Sequence, residues 1–169
     1  MLEEIGMNGI NFAAVEQTTK MIKEDPSLKM RNWQASIKWK TGVQNTLKIR
    51  DFDPIKIDEP ELLGGTDTGP NPVELLIGTA GSCFSITFQV LASQEGITLE
   101  EVSVDIEADL NAAVFLGLEE GDGGIIDPVI TLKAKTTANK EQVEEIAQVA
   151  LQKSPVLMSM KAKIHLEIE

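Results

Sequence analysis

The chain has very few residues of the kinds that form disulfides or bind metals. Its 169 residues include one cysteine, Cys83, and one histidine, His165. A single cysteine cannot build an intrachain disulfide framework. One cysteine and one histidine cannot supply the ligands of a zinc site, and the glycine-rich stretch 64–69 lacks the Gly-Lys-Ser/Thr of a phosphate loop. The sequence therefore predicts no metal site and no cofactor.

Positive charge is also scarce. The chain has 15 Lys and Arg against 27 Asp and Glu, which gives a formal net charge of −12 at pH 7. Binding to a phosphate backbone requires clustered cations that release counterions. The composition therefore predicts neither a nucleic acid nor an anionic membrane as a partner.

An export signal is missing from the N-terminal sequence. Residues 1–5 are acidic where a signal peptide is basic, and no apolar core follows them. The apolar run 75–94 is long enough to span a membrane, but it contains glycine, serine, threonine and glutamine throughout. With 42% apolar residues the chain can bury a core. We expect a cytoplasmic protein with a buried central helix.

Hydrophobic periodicity predicts an α+β fold. Helical spacing predicts helices over residues 8–23 and 137–152. The residues of the second helix expected to face inward are Val143, Ile146, Ala147, Ala150 and Leu151. Alternating apolar residues predict half-buried strands over residues 31–39, 43–49, 55–58, 102–110, 126–134 and 162–168. His165 is out of phase with its apolar neighbours and is expected to face water.

The central helix is predicted from its cap. Asn71 is a typical N-cap, Pro72 fits the first helical position, and Glu74 completes a capping-box arrangement. Gly96 is expected to end the helix in a left-handed conformation. One six-stranded sheet would cover a single side of this apolar helix. We expect a second helix or a second subunit to cover the rest, with small residues such as Gly81 allowing close helix approach, and we favour a homodimer.

Several motifs resemble one family. The strings DEP at 58–60, GG at 64–65, GPNPVELL at 69–76 and GSC at 81–83 resemble the OsmC/Ohr superfamily of osmotically inducible and organic hydroperoxide resistance proteins. The element order from residue 31 onward is similar as well, apart from an insertion at 117–124. The resemblance implies an OsmC-like domain over 29–169, with antiparallel sheets, a central buried helix and a second helix, preceded by a helical extension over 1–28. It also implies an intertwined homodimer with active sites at the subunit interface.

The resemblance also implies a thiol peroxidase cycle, an oxidoreductase activity used in stress response. A thiolate attacks the peroxide and becomes a sulfenic acid, which a second cysteine resolves as a disulfide. Cys83 matches the nucleophile, whereas the resolving position is Ser154, and serine forms no disulfide. An external thiol would have to reduce the sulfenic acid directly. The family's catalytic glutamate position is Val73, which leaves the adjacent Glu74 as a candidate catalytic residue or only a helix cap.

A reactive cysteine also needs a nearby cation or helix N-terminus, since a thiol with a pKa of about 8.5 is mostly protonated at neutral pH. Cys83 lies about three turns beyond Asn71, too far for the helix dipole. The family uses an arginine from the first hairpin turn or from the loop before the central helix. Lys40 at the hairpin turn and Arg31, in phase with the apolar face, are the candidates, while Arg50 would require a bulge.

Two hypotheses follow. In the first, the protein is a one-cysteine peroxidase that reduces organic hydroperoxides with an external thiol, using Cys83 as the nucleophile and Arg31 or Lys40 to stabilise its thiolate. In the second, it is a non-catalytic OsmC-like dimer whose pocket binds a small hydrophobic ligand, and Cys83 is a small apolar residue.

Overall fold

The fold is given by a computed structural model that describes residues 6–169. The acidic N-terminal residues 1–5, on which the expectation about export rests, lie outside this range. The described chain forms two compact units. The hairpin unit is Val15–Leu76, and the C-terminal unit consists of residues 6–14 and Ile77–Glu169. The domain limits expected from the sequence, 1–28 and 29–169, stay a prediction.

The hairpin unit contains a three-stranded antiparallel sheet. Strands β1 (Ser36–Thr41), β2 (Gln44–Lys48) and β3 (Ile55–Ile57) lie in the order β1-β2-β3. They are preceded by helix α1 (Phe12–Glu24), whose first residues belong to the other unit. The predicted N-terminal helix, hairpin and third strand are confirmed, with shorter strands than the sequence pattern indicated.

Strand β1 is not half-buried as the alternation predicted. All six of its residues are exposed in the single chain, and the exposed fractions are 63% for Ile37 and 67% for Trp39. Arg31 precedes the strand and is also exposed, so its expected inward orientation is not found. The physical reason is that β1 is the edge strand of a small sheet, which cannot bury its own faces.

The C-terminal unit is built on a long hairpin. Strands β4 (Leu99–Leu110) and β5 (Ile125–Thr136) are antiparallel, and the short helix α3 (Ala112–Phe115) lies between them. After helices α4 (Lys140–Lys153) and α5 (Pro155–Met158), strand β6 (His165–Ile168) pairs in parallel with β5. The expected antiparallel sheets are therefore found, as two sheets of three strands, except that β6 is parallel to β5, because alternation reveals strands but not their direction or partners.

Helix α2 (Pro72–Gln94) begins in the hairpin unit and continues into the C-terminal unit. As predicted, the Asn71 side chain accepts from the Glu74 backbone N–H at 2.8 Å, and the Glu74 carboxylate accepts from the Asn71 N–H at 2.8 Å. Gly96 has φ of +74° and ends the helix as expected. Both ends of α2 were therefore readable from local sequence.

The core of the C-terminal unit is formed by α2, α4 and β5. Phe84 and Phe88 on α2 and Ile130 and Leu132 on β5 are all at most 1% exposed. On α4, four of the five residues predicted to face inward are buried, whereas Leu151 packs against the core but is only partly buried. Gly81 faces β4: a Cβ at this position would lie 3.0 Å from the Ile106 side chain. Its small size thus serves a close helix–sheet approach within the chain, whereas the expected close approach of helices between two subunits stays a prediction.

Helix α2 is buried on one side only. Among residues 6–169 it is the one helix with the length and composition of a membrane span, and only 28% of its most apolar window is buried. The core helix of a protein that never enters a membrane can have the same length and composition. Gly78, Thr79, Ser82 and Ile86 are exposed on this helix. In the single chain the central helix therefore keeps an uncovered face.

Candidate functional site

Cys83 lies in the fourth turn of α2, at the edge between the buried and exposed sides of the helix. Its side chain is partly exposed, and its carbonyl accepts a 2.8 Å hydrogen bond from the Thr87 hydroxyl. The thiol lines an open cavity of about 340 Å³. The other lining residues are Thr79, Ser82, Ile86, Thr87 and Pro155. Cys83 is thus an accessible thiol in an uncharged cavity, and not a residue sealed in the core.

Ser154 lies beside this cavity. Its side chain is fully buried, and its hydroxyl donates to the Ala150 carbonyl at 2.7 Å. The Ser154 oxygen is also 3.3 Å from the hydroxyl oxygen of Thr87, which lies one helical turn after Cys83. The next residue, Pro155, lines the cavity together with Cys83. The structure therefore brings together the two positions that the family resemblance paired, with a serine at the second.

The other predicted site residues lie in the hairpin unit. Glu74 is engaged in the capping box at the start of α2. Arg31 and Lys40 are exposed. Arg50 has a left-handed backbone, with φ of +48°, and its guanidinium lies 4.6 Å from the centre of the Phe52 ring. The residues that line the Cys83 cavity in the C-terminal unit include no cation and no carboxylate.

Sequence reasoning missed a buried carboxylate, Asp58, just after β3. One of its oxygens accepts from the backbone N–H and the hydroxyl of both Thr66 and Thr68, at 2.6 to 3.2 Å. The same oxygen accepts from the Gln44 amide at 3.3 Å, and the other accepts from the Glu59 N–H at 2.9 Å. The hydroxyl of Thr66 above all, with the Thr68 donors and the Glu59 N–H, holds the pKa of Asp58 far below its usual range, although burial opposes this.

Asp58 closes the loop that leads into α2. The Asp58 N–H donates to the Pro70 carbonyl at 3.4 Å. This hydrogen bond joins the two residues that flank the segment 59–69. Gly65 lies so close to Glu59 that a Cβ would stand 1.7 Å from the Glu59 carbonyl oxygen. A Cβ at Gly69 would be 2.5 Å from the Lys56 carbonyl. Gly65 and Gly69 of the family motif are thus required by close backbone contact, whereas Gly64 has no such contact and has a left-handed backbone with φ of +82°.

The lowered pKa of Asp58 predicts an acid-sensitive fold. A carboxylate with a depressed folded-state pKa contributes stability above its unfolded pKa of about 3.9, and this contribution is lost as the pH falls below that value. Between pH 7 and about pH 3, the free energy of unfolding in urea should fall more steeply for the wild type than for Asp58→Asn. Asp53→Asn, at an exposed aspartate of the same unit, is the control. Equal slopes for wild type and Asp58→Asn would contradict the prediction.

Comparison with known proteins identifies the family of the chain. Residues 65–169 match the family described as OsmC-like protein. This is more than half of the sequence, and the chain belongs to the OsmC-like family. An uncharacterized protein of Haloferax volcanii is 35% identical over 83 residues, and the match spans 48% of this chain and 58% of that relative.

Solved structures agree with this family assignment at the level of the fold. The OsmC-like protein of Mycoplasma pneumoniae has a TM-score of 0.71 at 13% identity, over 82% of this chain and 96% of that chain. The organic hydroperoxide resistance protein OsmC of Legionella pneumophila has a TM-score of 0.63 at 21% identity, over 83% and 99% of the two chains. A putative organic hydroperoxide resistance protein of Vibrio cholerae, with captopril bound in one of its active sites, has a TM-score of 0.62 at 20% identity, over 83% and 94%. The predicted α+β, OsmC-like fold is confirmed.

Proposed function

We propose that this OsmC-like protein is a thiol-dependent peroxidase that reduces organic hydroperoxides through Cys83. The observation that carries the proposal is the placement of this thiol. The sole cysteine of the chain is partly exposed in a cavity, beside the position that the family resemblance assigns to the second cysteine. Similarity to proteins named for organic hydroperoxide resistance supports the same chemistry.

The reaction needs only one cysteine if the reductant comes from outside. The Cys83 thiolate attacks the outer oxygen of the hydroperoxide; an S–O bond forms, the O–O bond breaks, and the alkoxide leaves as an alcohol after taking a proton. An external thiol then attacks the sulfenic sulfur and releases water, giving a mixed disulfide. A second external thiol releases Cys83. One hydroperoxide and two thiols become one alcohol, one water and one disulfide.

The cavity favours an organic hydroperoxide over hydrogen peroxide. Beside Cys83 its lining consists of the apolar side chains of Ile86 and Pro155, two threonines with methyl groups, and Ser82. A volume of about 340 Å³ is in the range of small-ligand pockets. An alkyl group would remove apolar surface from water there, a gain that hydrogen peroxide cannot make.

A second copy of the chain is part of the proposal. The exposed face of α2 and the exposed apolar residues of β1, Ile37 and Trp39, are surfaces that a partner would bury. In this homodimer Arg31 or Lys40 would stabilise the Cys83 thiolate, because the cavity lining itself carries no charge. Glu74, which already caps α2, remains a candidate for orienting the hydroperoxide. The dependence on external thiols fits a cytoplasmic location.

The uncharged cavity lining favours one competing function, a non-catalytic dimer that binds a small hydrophobic ligand. The two functions differ in the reactivity of Cys83. A peroxidase should show alkylation of Cys83 by iodoacetamide at pH 7 that is at least about tenfold faster than alkylation of free cysteine. Alkylation no faster than that of free cysteine, together with no hydroperoxide consumption, would favour ligand binding.

Restoring the missing sulfur tests the arrangement of the site. Because Ser154 is buried beside Thr87 and its neighbour Pro155 lines the cavity with Cys83, Ser154→Cys should form a disulfide with Cys83 after one equivalent of hydroperoxide. Mass spectrometry of peptides under non-reducing conditions would detect it. Ser159→Cys, at an exposed serine in the same region, is the matched control and should not cross-link. Absence of the bridge in the first variant would contradict the proposed geometry.

A further inference from the structure

The N-terminal segment is fastened to the C-terminal unit by one side chain, Asn8. Its Nδ2 donates to the Ser93 hydroxyl oxygen at 2.8 Å and to the Ile97 carbonyl at 2.8 Å, and its Oδ1 accepts from the Leu99 backbone N–H at 2.9 Å. The amide of Asn8 therefore binds both the end of α2 and the start of β4. We call the contacts of Asn8 with Ser93, Ile97 and Leu99 the Asn8 latch.

The Asn8 latch lies at one end of the uncovered face of α2. Ser93 follows Ile86 by seven residues, about two helical turns, so the two side chains lie on the same side of the helix. Ile86 is 57% exposed in the single chain, whereas Ser93 is 5% exposed. Between them, Gln89 lines a cavity together with Asn8 and Ile10. The face that is open around Ile86 is therefore closed at Ser93 by the chain's own N-terminal segment.

The open part of this face fits a second copy of the chain. Residues 75–94 contain no charged side chain, although 25% of all residues are charged. Two copies that each carry a net charge of −12 repel one another over most of their surface, but this face can meet its own copy without bringing like charges together. In a two-fold dimer a patch contacts the same patch of the partner. Gly78 and Ser82, both exposed, allow the two helices to approach closely.

We propose that the Asn8 latch sets the position of the second copy by confining the partner's α2 to residues 78–86 of this helix. The inference rests on the homodimer of the proposed function and adds its register. Helix α2 enters the C-terminal unit at Ile77, and the latch closes its other end, so Ser82 is the midpoint of the open stretch. In a two-fold contact the central residue lies opposite its own copy. The two helices should therefore cross at Ser82, the residue before Cys83.

Disulfide cross-linking in the full chain carrying Cys83→Ala tests this register. At an interaxial distance of about 9 Å, the facing Cα atoms of two helices lie about 4 to 5 Å apart, within the range of a disulfide. Under mild oxidation with copper phenanthroline, Ser82→Cys should give a covalent dimer on non-reducing gels. Gln89→Cys, two turns further along the helix, should give at least about tenfold less, because its Cα falls outside that range.

Opening the latch should extend the contact. Asn8→Asp keeps the size of the side chain but sets a carboxylate oxygen against the Ile97 carbonyl, in a cavity that two glutamates also line, so that two acceptors face each other. Cross-linking through Gln89→Cys should then rise about tenfold or more, the shift that losing one or two such hydrogen bonds gives. Asn11→Asp is the matched control, because the exposed Asn11 accepts from the Ala14 N–H, a role that a carboxylate keeps.

Three results would overturn the proposal. They are cross-linking of Ser82→Cys no stronger than that of Gln89→Cys, an unchanged pattern after Asn8→Asp, and a wild-type chain that sediments as a monomer. The first comparison leaves Asn8 intact, so a folding defect of Asn8→Asp cannot hide the result. The peroxidase is judged separately, because Cys83 is absent from the cross-linked variants. A cross-link confined to Ser82→Cys, with a wild type that consumes no hydroperoxide, would support the register and contradict the peroxidase.

Discussion

Replacing Cys83 by serine should abolish hydroperoxide consumption, with an expected loss of at least about a thousandfold in rate. A serine hydroxyl is not ionised at neutral pH and does not form a sulfenic acid, so no other atom of the chain can take over the first step. Loss of cumene hydroperoxide in the presence of dithiothreitol is the measurement. Because Cys83 is partly exposed and serine is nearly isosteric, thermal unfolding of the variant should match that of the wild type.

Two results would contradict this expectation. One is a variant that keeps the wild-type rate, which would assign the turnover to another group or to the dithiol alone. The other is a wild-type rate independent of the concentration of external thiol. Since Ser154 provides no sulfur, each turnover must consume external thiol, and the rate should rise with thiol concentration while hydroperoxide is in excess.

Substituting Gly65 by alanine should destabilise the protein by more than about 2 kcal/mol. The added Cβ would lie 1.7 Å from the Glu59 carbonyl oxygen, and this neighbour is backbone, which cannot rotate away like a side chain. To make room, the loop must move, and the Thr66 and Thr68 hydrogen bonds to Asp58 must lengthen. The free energy of unfolding in urea, for alanine variant and wild type at pH 7, is the measurement.

Gly123→Ala is the matched control for Gly65→Ala. A Cβ at Gly123 would meet only the Val114 side chain, at the ordinary distance of 3.7 Å, so its effect should stay within about 0.5 kcal/mol. If the two variants had equal stabilities, the tight packing of the loop against Glu59 would not be a requirement of the fold.

Local sequence patterns predicted most of the fold. The Asn71 and Glu74 capping box, the Gly96 stop and the buried face of α4 depend on residues within a few positions of one another, and each was readable from the sequence. The parallel pairing of β6 with β5 was not, because strand partners are set by contacts between distant segments. The exposure of β1 was missed for the same reason: alternation predicts a strand with one apolar face but does not say what covers that face.

The candidate site was predictable in part. The motif around Cys83 and the position of Ser154 came from the family resemblance. The structure places Cys83 in the lining of a cavity and Ser154 next to two of its lining residues, Thr87 and Pro155. The hydrogen-bonded cluster around Asp58 was missed. The sequence does contain a pattern that could have predicted it, because Thr66 and Thr68 follow Asp58 across a glycine-rich turn and both have hydroxyl groups that can donate to a carboxylate.

Trapping of the oxidised cysteine tests the central claim most directly. The protein is treated with one equivalent of cumene hydroperoxide in the presence of dimedone, and its peptides are analysed by mass spectrometry. The account predicts a dimedone adduct on Cys83, formed together with one equivalent of cumyl alcohol and absent without hydroperoxide. An unmodified Cys83 with the hydroperoxide recovered intact would contradict it.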